Sequence, residues 1–336
     1  MATVDRTRQL TSLVIPADAV AGTAFPTDAQ NNVRTERFQA RISAPVDITV
    51  AGTGLRNRGS ILGALGRMKF IDNGVEKFVA DLRLARYLAE CMAPSPLPAV
   101  RLADADVQTV TLEETVPLWL ASPRTIDPND TKYVEVNKQG KLSFVIEAGR
   151  GLAGIAEGVA LAGTVGPYTI TIEQIYDEML AIPPLLQTYF RQVEENVSGA
   201  NSALKIDLKG DRYIRLLIIQ QDSNESEVDD LINGVVLRGD RRSIIGDDAV
   251  SFADLVQHAQ EEFGGAVTQA EGYLIIDLCR YGRLATQFNP LEDTSLRLLA
   301  NCQPTVTPGR TGSKIRVGLW ETQRSGSTAV VLPFQI

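Results

Sequence analysis

Histidine and cysteine are scarce in this chain. Its 336 residues include one histidine, His258, and three cysteines, Cys91, Cys279 and Cys302. Metal centres and serine or cysteine nucleophiles generally depend on these side chains. The cysteines are far apart and odd in number, so they give neither a disulfide framework nor a zinc-binding spacing, and we expect three reduced thiols. The sequence predicts no catalytic residue, no metal-binding residue and no cofactor.

Positive charge and long apolar runs are lacking too. The net charge is −8, and the densest basic stretch, Arg238–Arg242, is interrupted by Asp240. An acidic chain has no general attraction to nucleic acid, so we expect no recognition of nucleic-acid sequence. No apolar run approaches the roughly 20 residues that a membrane helix needs. The N-terminus has no signal-peptide pattern, and we expect a protein made and kept, or assembled, in a reducing compartment.

Several ligand-binding motifs are absent. The glycines between Gly151 and Gly166 fit neither the dinucleotide fingerprint nor the phosphate-binding loop. The stretch from Asp222 starts like a calcium loop, but its sixth residue is Glu227 and its twelfth is Asn233, so we expect a solvated acidic loop over 222–230. Adjacent carboxylates do not indicate a glycosidase, because adjacency does not place two carboxyl groups across a substrate. Such pairs occur at Glu113-Glu114, Glu194-Glu195, Asp247-Asp248 and Glu261-Glu262.

Strand patterning, in contrast, is abundant. Phe38, Ala40 and Ile42 alternate with polar residues, and the alternation resumes at Val46 after an expected break at Ala44-Pro45. Strict alternation is typical of strands with one buried face. Further strands are predicted at 107–120, 133–136, 142–146, 168–172, 204–208, 213–219, 273–278, 296–302 and 315–319.

Two helices interrupt the strands. Apolar residues spaced about one helical turn apart predict helices over Phe78–Met92 and Ser251–Phe263. Ser251 is suited to cap the second helix, because its hydroxyl can accept a hydrogen bond from a free backbone N–H. The first helix is followed by a proline cluster and the second by Gly264-Gly265, both of which stop helices.

The helices belong to a unit that occurs twice. An Asn-Gly dipeptide precedes each helix, at Asn73-Gly74 and Asn233-Gly234, and an Asp-Thr turn follows each, at 127–131 and 289–294. Asn-Gly between apolar residues is typical of a hairpin turn, because both residues accept a positive φ. The copies are offset by 160 to 163 residues (233 − 73 and 293 − 130), close to half the chain. A duplication on this scale predicts two similar domains.

The predicted organisation is an N-terminal arm over 1–35, a first domain over 36–182 and a second domain over 183–336. The linker is placed at Ile182–Pro184, because neither proline fits a central strand. Short strands in two equal sets, each with one helix, predict an all-β fold of two antiparallel sandwiches in tandem.

The order of these features resembles that of a known family. The segments that carry the resemblance are, in order, PLWLASPR at 117–124, DPNDT at 127–131, LSFVIE at 142–147, YIRLLIIQ at 213–220, LINGVVL at 231–237 and GYLIIDL at 272–278. Over roughly residues 35 to 325 the chain resembles the double jelly-roll major capsid proteins of the tectivirus, corticovirus and adenovirus lineage. These are tailless icosahedral viruses, and most of the bacterial ones enclose a lipid membrane.

The resemblance implies an all-β fold of two tandem eight-stranded antiparallel jelly rolls, each with a short helix in a connection. It implies a major capsid protein, not an enzyme, whose homotrimers are pseudo-hexagonal capsomers that tile an icosahedral shell. Its partners would be neighbouring capsomers, penton or minor capsid proteins and, through an arm that carries Arg6 and Arg8, an internal viral membrane. The protein would be located in the virion of a bacteriophage after assembly in the host cytoplasm.

Two other functions are compatible with the pattern. A glycan-processing or glycan-binding double jelly roll would need a cleft with paired carboxylates and exposed aromatic side chains, and aromatic residues make up only 6% of the chain. A minor capsid or spike protein would differ in copy number, because a major protein is present in hundreds of copies per particle.

Overall fold

The chain forms two compact units, which are described separately below. One comprises Met1–Ala121 and Tyr133–Pro183, and the other comprises Ser122–Lys132 and Pro184–Ile336. The predicted domain limits, 1–35, 36–182 and 183–336, stay predictions. A computed structural model describes residues 6–16, 23–27, 33–50, 60–72, 74–92, 107–119, 134–135, 142–149, 151, 155, 161–180, 186–197, 201–223, 226–227, 231–240, 243–263, 272–278, 295–302 and 313–324.

The first unit is built from strands with two short helices. Its elements are β1 (Arg6–Ile15), β2 (Thr23–Thr27), β3 (Val33–Val50), α1 (Ile61–Ala64), β4 (Leu65–Asp72), β5 (Val75–Asp81), α2 (Leu82–Met92), β6 (Val107–Trp119), β7 (Val134–Glu135), β8 (Leu142–Ala148), β9 (Leu161–Val165) and β10 (Tyr168–Leu180). One sheet has the order β1-β10-β3-β6, with β7 and β9 also paired to β3. The other has the order β5-β4-β8-β2.

The second unit repeats this plan. Its elements are β11 (Leu186–Val197), β12 (Asn201–Asp207), β13 (Tyr213–Ser223), β14 (Ser226–Glu227), β15 (Ile232–Gly239), β16 (Ser243–Ser251), α3 (Phe252–Phe263), β17 (Tyr273–Asp277), β18 (Leu296–Cys302) and β19 (Ser313–Arg324). One sheet contains β11, β19, β13 and β17 in that order, with β14 also paired to β13. The other has the order β12-β18-β15-β16.

Both units are eight-stranded jelly rolls with the same topology. Without the short extra strands β7, β9 and β14, eight strands are left among the described residues of each unit. Numbered along the chain, they pair as first-eighth-third-sixth in one sheet and second-seventh-fourth-fifth in the other. This double Greek key is the jelly-roll arrangement. The helices also correspond, because α2 and α3 each follow the fifth strand of their unit. The predicted double jelly-roll fold is therefore confirmed.

The N-terminal arm expected over 1–35 contains strands of the first jelly roll. Residues 6–15 form its first strand, which pairs antiparallel with β10 from Arg6↔Tyr176 to Ile15↔Tyr168. Residues 23–27 form its second strand and pair with β8. The mixed, turn-rich sequence over 1–35 favours an arm rather than core strands. In the structure most side chains of β1 are exposed, as is usual for an edge strand, and of its residues only Ile15 is buried.

The strand break expected at Ala44-Pro45 is absent, because β3 runs without interruption through Pro45. On one side Pro45 pairs with Thr111 of β6. On the other side β3 changes partner, from β10 up to Ser43 to β9 from Val46 onward. A proline has no N–H to donate, so it fits at such a change of partner. Its carbonyl still accepts a hydrogen bond of 2.8 Å from the Gly166 N–H.

The core of the first unit lies between its two sheets and contains an aromatic cluster. Phe38 of β3 packs against Phe70 of β4 and Phe144 of β8, with ring centroids 4.8 and 5.5 Å away. Phe70 and Phe144 stack at 5.0 Å. The alternation that predicted the strand over 38–42 therefore predicted its buried face correctly, since Phe38, Ala40 and Ile42 are all fully buried.

The helices and turns are partly as expected. Gly74 has a φ of +78°, and Asp72 pairs with Val75, which is the predicted hairpin between β4 and β5. The helix after it begins at Leu82 rather than Phe78, because 75–81 continue as the second strand of that hairpin. Ser251 caps α3 as predicted, its Oγ accepting from the Asp254 N–H at 3.1 Å.

The predicted hairpin turn at Asn233-Gly234 is wrong. Both residues lie within β15, where Gly234 pairs with Ser251 on one side and Asn301 on the other. A side chain at Gly234 would come within 3.1 Å of the Ala249 Cβ, so this glycine permits a close approach of strands rather than a turn. The β15–β16 hairpin turns after Gly239 instead. The predicted Asp-Thr turns at 127–131 and 289–294 lie outside the described residues.

Candidate functional site

The scarce residue types occupy scattered positions. His258 lies on the exposed side of α3, with its Nδ1 3.9 Å from a carboxylate oxygen of Glu261. The side chains of Cys91 and Cys302 are buried, and burial raises the pKa of Cys302 to about 11. Cys279 lies outside the described residues. Within the part of the chain that the structure describes, no group of three or more His, Cys, Asp and Glu side chains is placed to hold a metal ion. In the same part, no helix has the length and apolarity needed to cross a bilayer.

A buried ionic cluster lies on the sheet that contains β11, β13 and β19. The Arg316 guanidinium contacts Asp222 at 2.6 Å and Glu194 at 2.9 Å, and Lys314 contacts Glu194 at 2.7 Å. Burial raises the pKa of Glu194, but its bonds to Lys314 and Arg316 outweigh this and the pKa is lowered overall. Asp222 is 1% exposed. The solvated loop predicted over 222–230 is therefore wrong at its first residue. Asp222 is buried in β13 and pairs with Arg316.

The sequence carried a faint signal for this cluster. Ile218, Gln220 and Asp222 share one face of β13, so this face changes from apolar to polar toward the end of the strand. Arg316 lies directly opposite Gln220 in β19. Without the register of the strands, the sequence does not show that Asp222 and Arg316 meet, because 94 residues separate them.

A second buried carboxylate in this unit is Glu321 of β19, which is 1% exposed. It accepts hydrogen bonds from the Arg191 Nε at 2.8 Å and from Arg212 at 3.5 Å. Burial raises its pKa despite the two guanidinium groups. The Arg212 guanidinium also lies 3.7 Å from the ring centroid of Tyr189, a cation–π contact. In both clusters, buried carboxylates pair with basic side chains, and these contacts link β11, β13 and β19.

Among the described residues, the edge strand β1 forms an exposed surface. Among the described residues, the exposed large hydrophobic side chains are Leu13 (39%), Val14 (66%) and Val75 (46%). Leu13 and Val14 are neighbours on β1, which ends the sheet order β1-β10-β3-β6. The strand also carries Arg6 and Arg8 and no acidic residue, in a chain of net charge −8. The unpaired backbone N–H and C=O groups of an edge strand can pair with another chain.

Several solved protein structures are similar to the fold of this chain. The chain is similar to the major capsid protein of Sulfolobus turreted icosahedral virus, with a TM-score of 0.60, 14% identity, and coverage of 95% of this chain and 96% of that one. It is similar to the major capsid protein of bacteriophage PM2, with a TM-score of 0.55, 12% identity, and coverage of 96% and 99%.

A third similar structure is the PBCV-1 virus capsid, with a TM-score of 0.58, 10% identity, and coverage of 96% of this chain and 95% of that one. No protein-family model and no curated protein matches the sequence. At these identities the similarity establishes the fold, a double jelly roll over nearly the whole chain.

Proposed function

We propose that this chain is a major capsid protein, a structural subunit that assembles with copies of itself into an icosahedral viral shell. The observation that carries the proposal is the tandem repetition of one jelly-roll topology among the described residues of the two units. The three capsid proteins named above share that arrangement, and the alignment with the first covers 95% of this chain and 96% of the other. The internal clusters of charged residues fit this role, because they stabilise strands.

The duplication suggests how the subunits associate. Two similar lobes in each chain allow a ring of three chains to have a pseudo-hexagonal outline, since three copies supply six lobes. Such a homotrimer would be the capsomer, and neighbouring capsomers would tile the shell in the virion. Penton or minor capsid proteins would complete the shell, and an internal membrane would lie beneath it. Shell proteins need large contacts between copies, and stable interfaces bury about 1,200 Å² or more.

The first prediction is that the purified protein is a trimer with a hexagonal outline. Native mass spectrometry should give three times the chain mass of 36.5 kDa, and negative-stain microscopy should show particles with six lobes. A glycan-binding or glycan-processing protein has no such requirement. A protein that stays monomeric at high concentration, over a range of salt and pH, would falsify the proposal.

We assign the exposed edge strand β1 to the contact between copies. A second copy is a suitable partner, because Val14, which is 66% exposed on this edge, can be buried against it. We predict that Val14→Lys raises the trimer dissociation constant at least about 10-fold, since burying a lysine at an apolar contact is unfavourable.

The matched control is Val75→Lys, which changes another exposed valine at the start of β5. It should leave the trimer dissociation constant unchanged within about twofold. Analytical ultracentrifugation of both variants provides the measurement. Trimer formation by Val14→Lys at the wild-type level would remove β1 from the interface without affecting the prediction that a trimer forms.

A further inference from the structure

The densest basic stretch of the sequence begins on the outer face of a sheet in the second unit. One row across β12, β18 and β15 is buried and consists of Ile206, Leu298 and Leu237. The next row, one residue along each strand, consists of Asp207, Arg297 and Arg238. This second row lies on the opposite, outer face of the sheet, because successive side chains of a strand point to opposite faces.

Two arginines are direct neighbours in the outer row. Arg238 of β15 lies opposite Arg297 of β18, and Arg238 is exposed while Arg297 is half-buried. Residues directly opposite each other have Cβ atoms about 4.5–5.5 Å apart, and like charges in such a pair repel. Lys205 is exposed on the same face of β12, opposite Leu299, which is two residues from Arg297. The basic patch is defined by Lys205, Arg238 and Arg297.

The carboxylates near the basic patch are used elsewhere. Asp207 lies opposite Arg297, but its Oδ1 accepts from the Lys209 N–H at 3.1 Å. Asp240, just after β15, accepts from the Ser295 N–H at 3.5 Å. Among the described residues, no ion pair joins a cation of the basic patch to a carboxylate. The basic patch therefore keeps its positive charge, in a chain whose net charge is −8.

Arg297 also has an unsatisfied donor. Its Nε is buried and has no hydrogen-bond partner in the part of the chain that the structure describes. Buried donors are normally paired, because an unpaired one has lost its water without gaining an acceptor. Arg191 and Arg316 of the same unit, in contrast, both donate to carboxylates through Nε. The unsatisfied donor and the opposed charges indicate the same missing partner, a group with negatively charged oxygens.

We propose that the basic patch binds a phosphate group, carried by a soluble phosphate compound or by a lipid headgroup. A guanidinium binds such a group through two parallel N–H···O bonds, so Arg238 and Arg297 can hold one phosphate between them. The phosphate would relieve their repulsion, and Lys205 adds a third positive charge. A phosphate group has more acceptor oxygens than a carboxylate, which suits a site with three cations. The basic patch belongs to one sheet of one unit, so it does not depend on the capsid proposal.

The experiment titrates inorganic phosphate into the full-length protein at constant ionic strength and follows binding by isothermal titration calorimetry. Arg238→Gln and Arg297→Gln should each raise the dissociation constant at least about 10-fold, because hydrogen bonds to a charged group are lost. The matched control is Arg41→Gln in the first unit. Arg41 is also on a strand and half exposed, but it lies 3.6 Å from Glu173 and 3.9 Å from Glu113. Its replacement should leave the constant unchanged within about twofold.

Thermal unfolding gives a second readout on the same proteins. A ligand that binds the folded state raises the unfolding midpoint. Phosphate should therefore raise the midpoint of the wild type and of Arg41→Gln, and it should have little effect on Arg238→Gln and Arg297→Gln. Both measurements on the wild type test the site even if a variant folds poorly.

Cosedimentation with lipid vesicles distinguishes the two sources of phosphate. Binding to phosphatidylglycerol but not to phosphatidylcholine vesicles, lost in both patch variants, would assign the site to a lipid headgroup. Binding of inorganic phosphate without binding to vesicles would assign it to a soluble phosphate compound. Either result supports the site.

Three results would overturn the phosphate site. One is a wild type that binds neither phosphate nor vesicles, and another is an equal loss of binding in Arg41→Gln. The third is a trimer that dissociates in both patch variants while phosphate binding is unchanged, which would assign the basic patch to carboxylates of a second copy. Failure to bind phosphate does not bear on trimer formation, which is measured separately.

Discussion

Replacement of Arg316 by methionine is expected to lower the free energy of unfolding of the second jelly roll by about 3–5 kcal/mol. The arginine side chain is 7% exposed and contacts Asp222, which is 1% exposed, and Glu194. Without the guanidinium, the carboxylates of Asp222 and Glu194 repel each other, and the buried Asp222 is not solvated by water. The loss of one partner of a buried pair costs far more than the pair contributes, because the other charge is left uncompensated.

Urea unfolding followed by Trp320 fluorescence in a Trp119→Phe background provides the measurement. Lys314→Met is the matched control, because Lys314 contacts the same Glu194 but its side chain is 37% exposed. An exposed pair contributes about 1 kcal/mol or less. Adding Asp222→Asn to Arg316→Met should recover part of the lost stability, since it removes the uncompensated charge. Equal effects of the arginine and lysine substitutions would contradict the buried-pair interpretation.

Replacement of Phe38 by alanine is expected to lower the free energy of unfolding of the first jelly roll by about 3–5 kcal/mol. Phe38 joins the two sheets, because its ring packs against Phe70 and Phe144 from the facing sheet. Truncation removes the buried ring and leaves a cavity that rigid strands fill only partially. The three rings also lose two of their mutual contacts.

Trp119 fluorescence in a Trp320→Phe background reports this unfolding. Phe263→Ala is a control for effects from outside the first unit, because Phe263 lies half-buried at the end of α3 in the second unit, and it should leave the unfolding that Trp119 reports unchanged. Phe38→Leu should recover more than half of the loss, since leucine fills much of the space. A cost below about 1.5 kcal/mol for Phe38→Ala would show that the sheets are not held together at this cluster.

The fold was predictable because the strands alternate and because the chain is duplicated. Phe38, Ala40 and Ile42, like Leu296, Leu298, Ala300 and Cys302, are buried on the face that the alternation indicates. The register of the repeat was misjudged: the Asn73-Gly74 hairpin corresponds to the turn after Gly239, not to Asn233-Gly234. An Asn-Gly dipeptide between apolar residues occurs both at a hairpin turn and inside a strand whose glycine lets a neighbouring strand approach closely. Only the neighbouring strands distinguish the two cases.

The charged interior was not predictable. Glu113 and Glu114 are identical in type and adjacent in sequence, yet one is exposed and the other lies inside the first jelly roll. Which of the two lies inside depends on which alternate positions of β6 face the interior. The sequence of β6 mixes apolar and polar residues on both sets of positions, so it does not show this. Arg316 lies 94 residues from Asp222 along the chain and Arg191 lies 130 residues from Glu321, and a single sequence contains no information on which charges meet.

The jelly-roll topology also determines the order in which the chain can fold. The first strand of each unit pairs with the last: Ser12 contacts Thr171, 159 residues later, and Leu186 pairs with Arg324. During synthesis β1 therefore waits unpaired until β10 has left the ribosome, and distant contacts of this kind form slowly. The first unit can close before most of the second has been made, since its last strand ends at Leu180. Each nascent chain thus passes through two separate periods in which an open sheet edge needs protection from other chains.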